Sequence, residues 1–93
     1  MNIAGCPTRN DRVVWQNVGD EVVIAEREGN IIRILNETAA FIWDLADGTT
    51  RMEDIIPRVC DRFEVTSEQA MVDVTEFCQE LSQAGLISFK NGT

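Results

Sequence analysis

The sequence predicts an α+β domain of winged-helix-like order, a three-stranded antiparallel sheet followed by three helices. Three observations carry that expectation. Short β-branched segments fill the first third of the chain, apolar residues at helical spacing fill the rest, and capping residues stand at the junctions. Strands that precede a run of helices pack as a small sheet with the helices on one face. At 93 residues the chain builds one hydrophobic core and not two.

The strands come first. Val13 to Asn17 alternates weakly, with Val13 and Trp15 on one face. Glu21 to Glu26 continues in β-branched residues, Val22 and Ile24 facing opposite to Val23 and Ala25. Glu28-Gly29-Asn30 is a turn signal of the kind that joins antiparallel strands, and Ile31 to Leu35 forms the third strand of a meander. The stretch Leu35 to Gly48 then changes from strand to a short apolar helix. Asn36 stands where an N-cap oxygen satisfies the first free amides, and Gly48 where a left-handed residue after the helix is cheapest.

Thr50 and Glu53 form a capping-box pattern ahead of Met52, Ile55, Ile56, Val59, Cys60 and Phe63, a one-faced helical stripe. Pro57 lies inside it and predicts a kink or short break. Thr66 and Gln69 open a third helix that runs to about Ala84, its core face Ala70, Val74, Phe77, Leu81 and Ala84, with Gly85 as its stop. Residues 1–12 are polar and irregular and are expected to be a flexible amino-terminal arm, residues 13–89 the domain, and residues 90–93 a tail.

Composition excludes several functions. Eight basic residues against sixteen acidic ones give a net charge of −8, which repels phosphate backbones. Helix-based DNA readers put lysine and arginine on the recognition helix, yet no Lys or Arg occurs from Glu64 to Phe89. With no histidine or tyrosine, and Lys90 the sole lysine, general acid–base chemistry is left to carboxylates that sit in turns or at helix starts. No phosphate-binding glycine loop, zinc-protease motif or nucleophile elbow is present, so neither catalysis nor a cofactor is expected. Cys6, Cys60 and Cys78 are far apart and odd in number, which predicts reduced thiols, two of them in the core. No secretory segment and no apolar run approaching the ~20 residues of a membrane span occurs, so a cytoplasmic protein with no membrane contact is expected.

The third strand is unusual in carrying two apolar faces. Ile32 and Ile34 lie on one side, Ile31 and Leu35 on the other, with Arg33 its single polar residue. Only one face can pack on the strand's own helices, which leaves an edge able to accept an extended peptide as an added strand. On the third helix Met71, Thr75, Cys78 and Ser82 form a flank beside the core stripe, either a core margin or the far wall of a groove against that strand.

These features resemble the PqqD-like family, named for the small protein of pyrroloquinoline quinone biosynthesis. The resemblance spans about Val13 to Ser88 and is sharpest at Leu35-Asn36-Glu37-Thr38-Ala39, at Asp47-Gly48-Thr49, and from Val74 to Leu86 with Leu81 and Gly85-Leu86. It implies three antiparallel strands followed by three helices. It also implies a peptide chaperone that binds the leader segment of a ribosomally made precursor peptide as a further strand beside the third. The peptide is then presented to a modifying enzyme, commonly a radical S-adenosylmethionine protein, in making the quinone, a lasso peptide or another modified peptide. Carried onto this chain, the strand role falls on Ile31, Ile32, Arg33, Ile34 and Leu35, and the helix role on Met71, Thr75, Cys78 and Ser82. Arg33 would pair with an acidic leader residue, while Glu76 and Glu80 would favour a basic one. The alternatives are a structural module that forms a homodimer through the same edge and, against the charge, a winged-helix DNA-binding regulator.

Overall fold

The computed structural model describes residues 5–26 and 31–90. Eight elements follow one another: β1 (Cys6–Arg9), β2 (Val14–Val18), β3 (Glu21–Glu26), β4 (Ile31–Leu35), α1 (Glu37–Leu45), α2 (Met52–Phe63), α3 (Ser67–Gln83) and β5 (Ile87–Lys90). The expected meander is present as an antiparallel sheet of order β2-β3-β4, with the three helices behind it. Val22 pairs with Leu35 and Ile24 with Arg33, so the β3–β4 register puts Val22, Ile24 and Leu35 on the side that packs on the helices. The turn read at Glu28-Gly29-Asn30 lies outside the described residues.

The arm expected through Arg12 is in part a strand. β1 pairs antiparallel with β5 in a separate two-stranded sheet, Cys6 opposite Lys90 and Arg9 opposite Ile87. Cys6 is buried, and Pro7 is among the most fully buried side chains. A proline suits this strand because both members of a two-stranded sheet are edges and the missing N–H costs no ladder. β1 also clasps the α1–α2 connection: Arg9 N donates to Ala46 O at 2.9 Å and Gly48 N to Pro7 O at 3.0 Å. Lys90 accordingly belongs to β5 and not to a tail.

The junctions follow their capping chemistry with two corrections. Asn36 Oδ1 accepts from Ala39 N at 2.9 Å, as an N-cap should. α1 ends at Leu45 with Ala46 as its C-cap, earlier than expected, so Gly48 is not its C′ residue. Gly48 instead takes φ 84° where the chain crosses β1, and a Cβ there would stand 3.0 Å from Thr8 Oγ1. The α2 cap falls to Arg51 and not to Thr50, whose hydroxyl donates to Asp47 Oδ1 at 3.4 Å. Asp47 Oδ1 also accepts from Thr49 N at 2.9 Å, and the Thr49 bonds, backbone first, hold its carboxyl below the usual carboxylate range.

α2 runs unbroken through Pro57, which is exposed and removes one backbone donor in the second turn. At the start of α3 Thr66 Oγ1 accepts from Gln69 N at 3.1 Å. The Gln69 amide turns forward to Asp73 at 2.8 Å and does not close a reciprocal box. α3 ends in a Schellman arrangement, Leu86 N to Leu81 O at 2.9 Å and Gly85 N to Ser82 O at 3.1 Å, with Gly85 at φ 77°.

The core lies between the inner face of the three-stranded sheet and the helices, centred on Trp43, Ile24, Ile42, Ile55, Leu81 and Val74. Cys78 is part of it. Burial pushes its thiol up to about 12. At pH 8 only on the order of one part in 10⁴ is then thiolate, the reactive species. Iodoacetamide at pH 8 is therefore expected to leave Cys78 intact in the folded protein and to modify it after denaturation, as peptide mass spectrometry would read. The unfolded thiol ionises near its ordinary value of 9.0, so this group makes stability fall as pH rises past about 9.

Candidate functional site: an open sheet edge beside a groove

β4 is an edge of its sheet, hydrogen-bonded to β3 on one side. Its alternation answers the question of the two apolar faces. Leu35 is buried and Arg33 half-buried on the inner side, whereas Ile32 and Ile34 point outward and are 62% and 63% exposed. Ile31, at the start of the strand, is also exposed. Among the described residues no strand pairs with the other side of β4, and that edge carries a row of backbone donors and acceptors that a further strand can satisfy.

Next to that edge lies a groove of about 540 Å³. One wall is the start of α1, with Asn36, Thr38, Ala39 and Ile42, and the other is the middle of α3, with Asp73, Glu76, Phe77 and Glu80. Arg33 joins the strand to the second wall. Its Nε donates to Glu26 Oε2 at 2.9 Å and its Nη1 stands 3.6 Å from Glu80 Oε1. The apolar part is Ala39, Ile42 and Phe77, and the rim is acidic. Arg33 is already matched by two carboxylates, so it is less available to an acidic ligand than its position in the sequence implies. A second hollow of about 580 Å³ lies by Asn10, Arg12, Ala25 and Gly85, against the end of β3 and the α3–β5 connection, with no residue of α1 in its lining.

The helix positions expected at the groove stand elsewhere. The buried stripe of α3 is Ala70, Val74, Cys78 and Leu81. Each helical step turns 100°, so Asp73, Phe77 and Glu80, one residue before Val74, Cys78 and Leu81, form the flank on one side of that stripe. Met71, Thr75 and Ser82, one residue after Ala70, Val74 and Leu81, form the flank on the other side. The groove is lined from the first flank. Cys78 is fully buried and has no surface to offer a ligand. The sequence pattern admits Phe77 or Cys78 as the third core position, and the aromatic looks the better choice by size. A free cysteine packs as a small apolar residue, and Cys78 is the one fully buried, while Phe77 stays half-buried against the margin of the core. Asp73, Glu76 and Glu80 at i, i+3 and i+7 were the legible sign of the groove flank.

No group of three or more His, Cys, Asp or Glu side chains able to hold a metal occurs among the described residues. No helix among them is long and apolar enough to cross a membrane.

Known proteins bear on this arrangement. No curated protein matches the chain. A solved structure described as "TbiB1 in Complex with the TbiA(beta) Leader Peptide" is similar in fold, with a TM-score of 0.77 and 25% sequence identity over 87% of this chain and 94% of that one. The family described as "Coenzyme PQQ synthesis protein D (PqqD)" matches residues 21–87, from β3 through the start of β5. That span holds the open edge, both walls of the groove and all three helices, and the chain belongs to the PqqD family.

Proposed function

We propose that the chain binds the leader segment of a ribosomally made precursor peptide as a strand beside β4 and presents it to a modifying enzyme. The observation that carries this is the open β4 edge running alongside a groove with an apolar floor and two helical walls. Backbone hydrogen bonds to the edge supply affinity for an extended segment, and side chains at alternate positions enter the groove and supply choice. The similar structure named for a leader-peptide complex supports the ligand class. The peptide-contacting residues proposed are Ile31, Ile32, Arg33, Ile34 and Leu35 on the strand, the buried Leu35 through its backbone alone, with Ala39, Phe77, Asp73, Glu76 and Glu80 in the groove and the buried Ile42 packed behind them.

The rim makes the preference electrostatic as well as steric. Asp73, Glu76 and Glu80 face a ligand with Arg33 already engaged, so a leader with a basic residue on its groove-facing side is favoured. The protein itself performs no reaction; the chemistry belongs to its partner, a radical S-adenosylmethionine enzyme or another peptide-modifying enzyme. Three cysteines without a disulfide accord with work in the cytosol.

Isothermal titration with leader peptides from short reading frames beside the gene tests this. A saturable one-to-one interaction is expected, weaker at high salt, and weaker again when the peptide's basic residue is replaced by glutamate. Absence of binding by every such peptide would remove the proposal, and binding insensitive to salt would remove its electrostatic part.

A further inference from the structure

β4 belongs to two surfaces. Its inner side chains face the helices, while Ile32 and Ile34 are part of the outer face of the sheet, together with Val14 and Val18 of β2 and Val23 and Ala25 of β3. Val14 and Val18 are each 49% exposed, and the exposed isoleucines lie across the sheet from them. The β2–β3–β4 register places Gln16 and Glu21 on this face as well, and no described residue of it is Lys or Arg. The patch is on the order of 400 Å², within the range where the largest apolar patch of a monomer is often functional.

Charge decides what covers it. A second copy stacked face to face would bring together two chains of net charge −8, through faces whose one charged described residue, Glu21, is acidic. A strand added at β4 changes the area, because its alternate side chains point outward beside Ile32 and Ile34 and extend the apolar face past the edge. We propose that this outer face is the docking surface for the enzyme that modifies the peptide, and that the bound peptide strand completes it. The matching surface on the enzyme has an apolar centre and a basic rim, complementary to Asp20 and Glu21 at the end of the β2–β3 hairpin. This rests on the peptide-binding function proposed above. Binding of peptide and enzyme is then mutually reinforcing, by the same factor in each direction.

The experiment uses the full chain, a leader peptide that binds it, and the purified peptide-modifying enzyme encoded next to the gene. Val14→Asp/Val18→Asp changes β2, which β3 separates from the peptide edge. In the wild type, saturating peptide is expected to tighten enzyme binding by about 5- to 150-fold, the usual range of such coupling. The double variant is expected to lose about tenfold or more in enzyme affinity while its peptide affinity changes by less than about twofold. Should that variant fail to fold by circular dichroism, Gln16→Arg, exposed on the same face, carries the test by repelling a basic rim. Three results overturn the docking surface: equal enzyme affinity for wild type and variant, no enzyme binding, or a wild-type dimer in sedimentation velocity that the variant abolishes. Failure of the wild type to bind peptide is read separately and overturns the peptide-binding function itself.

Discussion

Trp43→Ala is expected to lower the free energy of unfolding by about 3–5 kcal/mol. Trp43 is fully buried at the centre of the core, and its ring meets Trp15 edge to face with centroids 5.7 Å apart. Arg9 of β1 sits over both rings, at 5.3 Å from Trp15 and 6.0 Å from Trp43, and its Nη1 donates to Trp43 O at 2.7 Å. Truncation opens a cavity and loosens the clasp that β1 makes on α1. A domain of this size is stable by only about 5–15 kcal/mol, so the loss is a large share of the whole. Trp43→Phe keeps an aromatic ring and removes an indole N–H that has no hydrogen-bond partner among the described residues. It is expected to cost less than half as much. Urea unfolding monitored by circular dichroism measures both; equal losses would mean that the indole N–H and not the ring volume dominates.

Ala39→Trp is expected to weaken leader-peptide binding about 30-fold or more, the effect of losing ~2 kcal/mol at an interface centre. Ala39 is half-buried in the groove beside Ile42 and Phe77, and an indole there occupies space that a peptide side chain would take. The Asn36 cap uses the backbone N–H of Ala39, which the substitution keeps, so α1 should still form. Met71→Trp is the matched control. Met71 is exposed on the opposite flank of α3, and its enlargement is expected to leave affinity within about twofold. Loss of binding in Met71→Trp with none in Ala39→Trp would move the groove to the other flank.

Much of the fold was legible because local signals and burial agreed. The period-2 runs around Val22, Ile24 and Leu35, the caps at Asn36 and Thr66, and the stop at Gly85 each have a local physical cause and appear where that cause puts them. β1 was not legible, since Cys6-Pro7-Thr8-Arg9 has no apolar alternation, a single β-branched residue in Thr8, and a proline. It is a strand because β5 and the α1–α2 connection satisfy its backbone, a contact across almost the full length of the chain.

The site divides in the same way. The open edge was readable from Ile31 to Leu35, because a strand apolar on both faces is a property of the strand itself. The helix wall was not, because the choice between its two flanks turns on whether Phe77 or Cys78 enters the core. Size argues for the aromatic, and tertiary packing chose the thiol. Arg33 was readable as the charge on the edge, but its engagement by Glu26 and Glu80 depends on β3 and α3 lying to either side of it.

Amide exchange of the ¹⁵N-labelled protein, with and without a leader peptide, tests strand addition most directly. An added strand bonds those β4 backbone groups that point away from β3, so alternate amides between Ile31 and Leu35 are expected to become protected, with shifts at Ala39, Ile42, Phe77 and Glu80. Saturable binding that leaves the β4 amides exchanging as before would contradict strand addition and place the peptide elsewhere on the domain.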